Sequence, residues 1–316
     1  MNGNLKISFI LLAHESPDDL KQLIVSILES GSNLYVHYDA KSKHCLSGAS
    51  KNWHLEKYDG KLYFAKRERI HWGEWSIVSA TLRCLYLWKE VNDQSDYLML
   101  ISGSCLPIKP LSLLKKKLKE NPLDYIEAVS ATRSEWVSHG SQEDRWSHYN
   151  FVNWRSSPRL YKLVHKLQGK LGFNRKLPLG HKPFIGSQWW CLRADTIRNI
   201  IRLIMDQPQI ERFYRYTWVP DELFFQSLVA NTIAESELSH SRLTLSSFNS
   251  RGAAEYLYDD SLGTLMASDS FFARKISPQA MKLKESLWPV FSMSEQEFSK
   301  YSVDSCQEFL SRYDCE

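Results

Sequence analysis

The feature that most constrains this chain is a regular alternation, from Lys6 to Gly103, of short apolar runs with segments of helical periodicity. Lys6 to Leu12 reads as a strand. Ser16-Pro17-Asp18-Asp19 then opens a helix, with Ser as N-cap, Pro at the first helical position and acids in the first turn. Leu20, Leu23, Ile24 and Ile27 recur at helical spacing, and Gly31 closes the segment. Leu34 to Tyr38 is a second strand ending at Asp39, and Leu62 to Ala65 a short third. Trp75 to Trp88 carries a helical pattern, and Tyr97 to Ile101 is a strongly apolar strand ending at Ser102-Gly103-Ser104. Strands separated by helices of this length imply a parallel sheet covered on both faces. Such sheets bind ligands at the carboxyl ends of their strands. That rule nominates Ala13-His14-Glu15, Asp39 and Ser102 to Pro107 as the rim of one pocket.

Composition excludes wholesale disorder, because 43% of the 316 residues are hydrophobic and 24% charged. No repeat or low-complexity linker divides the chain. One continuous globule is therefore expected, with subregions at 1–130 and 131–316. Met1 to Lys6 is short and polar, Ile7 to Ala13 is only strand-length, and no window approaches the ~20 apolar residues of a membrane span. The cysteines are scattered without Cys-x-x-Cys or metal-ligand spacing, so they read as reduced thiols. A cytoplasmic protein is the expectation.

The net charge of +4 is too small to argue for a nucleic-acid partner. It is also unevenly spread. Arg155 to Lys182 holds eight Lys or Arg residues and no acid, leaving the rest of the chain at −4. Leu160, Leu163, Val164, Leu167 and Leu171 fall on one helical face there. Such a helix either packs that face on the core or docks on an anionic membrane, as a peripheral contact at its inner surface. A strand at Phe184 to Cys191, a helix through Ile197, Ile200, Ile201 and Ile204, and another beginning near Pro220 follow.

Several signatures are missing: G-x-G-x-x-G after the first strand, G-x-x-x-x-G-K-[ST], G-x-S-x-G, H-E-x-x-H and, above all, any D-x-D, the acid pair that holds a divalent metal against a diphosphate. Four constellations remain. Ala13, His14 and Asp39 stand at neighbouring strand ends, where Asp39 either binds a ribose or base edge or merely forms a turn. Trp72-Gly73-Glu74-Trp75-Ser76 offers a ring and backbone donors, or simply buries a helix start. In Val219-Pro220-Asp221-Glu222 the acids are either an ordinary helix opening or, at Glu222, a carboxylate base whose apolar surroundings raise its pKa. Phe271-Phe272-Ala273-Arg274-Lys275 places two cations where they would neutralise a departing diphosphate, or forms an ordinary surface pair.

Taken in order, I-S-F-I-L-L-A-H-E, V-H-Y-D-A-K-S, W-G-E-W-S-I-V-S-A-T-L, S-G-S-C-L-P-I-K, G-S-Q-W-W-C-L, P-D-E-L-F-F-Q-S and F-F-A-R-K resemble the core-2/I-branching β-1,6-N-acetylglucosaminyltransferases and peptide O-xylosyltransferases over residues ~5 to 276. The resemblance implies an α/β fold of GT-A type, with 1–130 binding a nucleotide sugar and 131–316 carrying acceptor and catalytic groups. It implies an inverting, metal-independent glycosyltransferase that needs no cofactor beyond its UDP-sugar donor. By position, Ala13, His14 and Asp39 line the uridine site, and Ser102, Gly103 and Ser104 lie along the donor. Trp72, Ser76, Ser187 and Arg251 join the donor side, and Arg274 and Lys275 meet the diphosphate. Glu222 is the catalytic carboxylate. Glu127, Arg145, Trp189, Trp190 and Asp221 face the acceptor, and the segment from Glu143 to Trp146 belongs with them. Trp72, Trp75, Trp189 and Trp190 are candidate stacking faces. A bacterial-type enzyme moving N-acetylglucosamine or xylose to a glycan, glycolipid or lipid-linked oligosaccharide is expected. A non-catalytic glycan- or nucleotide-binding module of the same fold is the alternative, followed by a different nucleotide-dependent α/β enzyme.

Overall fold

A computed structural model of the chain describes residues 5–131, 144–249 and 254–313. Its strands are β1 (Ile7–Ala13), β2 (Leu34–Tyr38), β3 (Leu62–Phe64), β4 (Tyr97–Ser102), β5 (Leu106–Pro107), β6 (Asp124–Tyr125), β7 (Val129–Ser130), β8 (Phe184–Ile185), β9 (Cys191–Arg193), β10 (Leu238–Ser239), β11 (Thr244–Ser246) and β12 (Phe272–Arg274). A seven-stranded sheet has the order β10-β6-β9-β4-β1-β2-β3. β1 pairs in parallel with β2 and β4, and β2 with β3, as the alternation predicts.

The sheet is not wholly parallel. β9 runs antiparallel to both β4 and β6. The stretch expected as one strand from Phe184 to Cys191 is in fact two. Phe184–Ile185 pairs with Val129–Ser130 in a separate ribbon, and Cys191–Arg193 joins the main sheet. The break between them, Gly186 to Trp190, passes through the site described below. Together these layers form a mixed α/β sandwich, as the alternation of strands and helices implies.

Local sequence explains the first helix, Pro17–Glu29. The Ser16 hydroxyl accepts the Asp19 N–H at 3.3 Å, and Gly31 adopts φ +77°, a left-handed conformation that glycine enters without a Cβ penalty. Alternate β1 residues feed two cores. Ile10 packs with Leu98, Leu100 and the helices Ser76–Glu90, Ala194–Asp206 and Phe224–Thr232, whereas Phe9 and Leu11 pack against Pro17–Glu29 and Leu111–Glu120. A third cluster, including Leu106, Leu265, Leu283 and Val290, gathers the C-terminal part around β5 and β12.

The helix expected near Pro220 starts later. Pro220–Glu222 is one 3₁₀ turn, and the α-helix begins at Phe224. Val219 at φ +47° reverses the chain just before it. Among the described residues no helix is long and apolar enough to cross a membrane.

Candidate active site

The carboxyl ends of β1, β2 and β4 converge as the topology requires. The Asp39 N–H donates to the Ala13 carbonyl at 2.9 Å, and the Gly103 N–H to the Leu12 carbonyl at 3.1 Å. Asp39 Oδ1 accepts from the backbone N–H groups of Lys41 (2.8 Å) and Ile70 (3.2 Å), so the turn-forming reading of this acid is realised. Gly103 has a steric reason. A Cβ there would lie 2.1 Å from Glu15 Oε2 and 2.7 Å from Leu20 Cδ2. Only a bare backbone lets the Glu15 carboxylate close over this strand end, where it also accepts the His14 N–H at 2.9 Å. The Ser102 and Ser104 hydroxyls sit 3.1 Å apart on the same loop.

A cavity of about 180 Å³ opens here, lined among others by His14, Glu15, Gly103, Ser104, Tyr256 and Lys275, whereas Ala13, Asp39 and Ser102 stand behind its lining. β12 delivers the cations. It pairs antiparallel with β5, and the Ile276 N–H donates to the Ser104 carbonyl at 3.0 Å, which fixes Arg274 and Lys275 against the β4 exit. Burial pushes the pKa of both downward, and for Lys275 the neighbouring Arg274 and Arg155 charges add to the effect. Lys275 faces the cavity, while Arg274 is buried beside it within electrostatic reach of Glu15 and Asp221. Arg274 also stacks over the Trp189 ring, 4.4 Å from its centroid, and its Nε is buried without a hydrogen-bond partner. Arg251 lies outside the described residues, as does Glu143.

The acid pair Asp221–Glu222 lies outside the lining of that cavity. Arg145 Nη2 donates to Glu222 Oε2 at 3.0 Å and to the Val219 carbonyl at 2.9 Å. Its Nε donates to the Trp218 carbonyl at 3.3 Å. The Gly186 N–H donates to the Glu222 carbonyl at 3.1 Å. The apolar enclosure expected around Glu222 falls instead on Asp221. Glu222 keeps about a third of its side chain exposed, whereas Asp221 is 8% exposed and its Oδ1 has no hydrogen-bond partner. Burial first, then the Glu222 charge, pushes the Asp221 pKa up to about 7. Arg274 interacts with both Glu15 and Asp221, so it bridges the cavity at the strand ends and the acid pair.

Other assignments are corrected by position. Trp189 (7% exposed, one face under Arg274) and Trp190 (1% exposed, packed on Phe225 at 5.1 Å) are both buried, so neither ring offers a face for a sugar. Trp75 is buried against Phe224 at 5.3 Å. Asp221 is too enclosed, and Arg145 too committed to carbonyls, to offer an acceptor an open face. Glu127 Oε2 accepts the Ser187 N–H at 2.8 Å, and Ser187 Oγ accepts the Trp189 N–H at 3.4 Å, so this trio shapes the broken strand. Trp72 and Ser76 do not line the cavity at the strand ends. Ser76 Oγ accepts the His71 N–H at 2.8 Å, a local cap. Trp72 is 45% exposed, edge-on to Trp218 at 5.5 Å, beside a second hollow of about 270 Å³ bordered by Gly73, Glu74, Asn153 and Trp218. Gly73, at φ +75°, allows that approach, since a Cβ would meet the Trp218 ring at 2.9 Å. Glu15 is the residue that sequence reasoning put on the rim without a role. Its signal was only its place after the first strand.

The profile of the family described as Core-2/I-Branching enzyme matches residues 7–263. The chain belongs to that family. The matched span runs from β1 through Glu222, and Arg274 and Lys275 lie beyond it. Xylosyltransferase 2 of Homo sapiens is 23% identical over 250 residues, 78% of this chain and 27% of the relative. Xylosyltransferase of Ciona intestinalis is 24% identical over 236 residues, 72% of this chain and 25% of the relative. This family member thus spans about a quarter of the length of the xylosyltransferases it matches. Among solved structures, S. aureus TarS 1-349 in complex with UDP is similar at 12% identity and a TM-score of 0.39, covering 99% of this chain and 72% of that one.

Proposed function

We propose that this chain is an inverting glycosyltransferase that moves a sugar, N-acetylglucosamine or xylose, from a UDP-sugar to a hydroxyl of a glycan, glycolipid or lipid-linked oligosaccharide. The observation that carries the reading is a run of charge beside the strand ends: Lys275 lines the cavity there, Arg274 is buried next to it and interacts with Asp221, and Glu222, adjacent to Asp221, is held by Arg145. Arg145 engages Oε2, which leaves Oε1 to accept the proton of the acceptor hydroxyl. The hydroxyl oxygen then attacks the anomeric carbon from the face opposite UDP. The bond from that carbon to the diphosphate oxygen breaks, and its electrons leave with UDP. Arg274 and Lys275 stabilise the charge developing there; one such contact is worth about 3 kcal/mol in the transition state.

The same two cations support a reaction that uses no divalent metal, as does the absence of D-x-D from the sequence. The uracil and ribose lie toward Ala13, His14 and Asp39, and the Trp189 face carries Arg274 to the diphosphate. A cytoplasmic location belongs to the same reading.

A thermal-shift panel of UDP-sugars, with and without EDTA, tests the donor and the metal together. Stabilisation by one UDP-sugar that EDTA leaves unchanged is the expected result. Glu222→Gln should keep that stabilisation and abolish transfer. Manganese-dependent activity overturns the metal-free mechanism. Binding with neither hydrolysis nor transfer, acceptors supplied, makes the chain a non-catalytic module.

A further inference from the structure

The helix Pro158–Lys170 is packed with its leucines outward. Leu160, Leu163, Leu167 and Leu171 are 48%, 63%, 55% and 65% exposed. Its inward contacts are polar and aromatic. Gln168 is buried, donating to the Tyr149 carbonyl at 2.8 Å and accepting the Tyr149 N–H at 2.7 Å. His165 hydrogen-bonds Asn150 at 2.9 Å, and Tyr161 lies 5.8 Å from the Trp218 ring. Of the two sequence readings, packing of the leucine face on the core is therefore excluded. A helix whose polar side is satisfied inward and whose leucine stripe faces solvent needs a different neighbour for that stripe.

Charge identifies the neighbour. Arg159, Lys162, Lys166 and Lys170 form an exposed row beside the leucines, and no acid occurs from Arg155 to Lys182. On the flanking segments Trp154, Phe151 and Phe173 are exposed as well, aromatic residues of the kind found at a bilayer's headgroup level. A second protein surface of ordinary composition would leave the four cations of that row unanswered, whereas anionic lipid answers both stripes at once. The patch also adjoins the site: Arg155 stacks over Trp72 at 3.5 Å and interacts with Lys275.

We infer that this face docks on an anionic lipid bilayer, with the leucine stripe in the headgroup–acyl boundary and the cation row against lipid phosphates. It holds the mouth of the cleft at the membrane surface. The surface stands on its own geometry; that it serves a lipid-borne acceptor rests on the transferase reading.

Co-sedimentation of the full chain with equimolar phosphatidylcholine and phosphatidylglycerol vesicles tests it. Binding is expected to anionic vesicles, to weaken with added salt, and to fall about thirtyfold in Lys162→Gln/Lys166→Gln. Leu163→Gln/Leu167→Gln should lose it too, while UDP still raises the melting temperature of both variants as in the wild type. Glu222→Gln should pellet like the wild type, so failure of transfer and failure of docking are read separately. Three outcomes overturn the inference. The wild type stays in the supernatant; it binds phosphatidylcholine alone equally well; or the leucine variants convert a dimer to a monomer in light scattering, which makes a second copy the occupant.

Discussion

Arg145 and Glu222 are 77 positions apart, yet Nη2 of one donates to Oε2 of the other at 3.0 Å. The same guanidinium ties down two carbonyls of the turn that presents Glu222, so one side chain fixes both the acid and its backbone. A bidentate-capable fork suits this better than a flexible ammonium.

Arg145→Lys should therefore lower kcat by roughly a hundredfold while leaving the KM for the UDP-sugar within a few-fold. Steady-state kinetics with both substrates varied would check it. An equal rise in donor KM would mean that Arg145 supports the donor pocket instead.

Lys275→Met removes one cation from the cavity at the strand ends without adding bulk. UDP binding should weaken by about tenfold to a hundredfold, measured by calorimetry, on the usual value of a charge-assisted contact to phosphate. Uridine, which lacks the diphosphate, should bind both forms alike.

Gly103→Ala forces a methyl against Glu15 and Leu20. The fold is expected to lose about 1–3 kcal/mol by overpacking, read in urea, and donor stabilisation should fall with it. Glu15→Ala in the same chain relieves the closer clash, so the double variant should regain part of the lost stability.

Asp221 gives a pH signature. Its folded pKa, about 7, lies above the ordinary 3.8, so the folded state binds the extra proton between those values. Stability from this group is full below about pH 4 and declines as pH rises toward 7. Asp221→Asn should match the wild type in melting temperature at pH 4 and exceed it at pH 8, where the wild type holds a buried charge. A variant that melts lower at pH 8 would show the ionised carboxylate to be stabilising.

Trp190→Ala should cost about 3–5 kcal/mol as a core truncation. Trp189→Ala, which removes the ring beneath Arg274, should cost less stability and more UDP affinity.

The contrast between those adjacent tryptophans marks how far sequence could go. Periodicity and end signals determined the four strands and the two long helices up to Gly103, because each depends on neighbours within a few positions. The short helical turns from Leu46 to Lys57 carry no such period and are missed. Ser16 and Gly31 are read correctly from spacing alone. So was the convergence of β1, β2 and β4, which follows from a parallel sheet.

What tertiary structure alone decided is which way side chains face once distant segments meet. Gly186 to Trp190 leaves one sheet for another, so alternation no longer says that the buried Trp189 ring lies under Arg274 and the buried Trp190 ring on Phe225. Of two adjacent acids, Asp221 is enclosed, while Glu222 stays a third exposed and meets Arg145 from across the fold. The leucine face of Pro158–Lys170 has a clear period, but its outward direction is set by Gln168 and His165 finding partners inward. A period fixes a face; only long-range packing fixes where that face points.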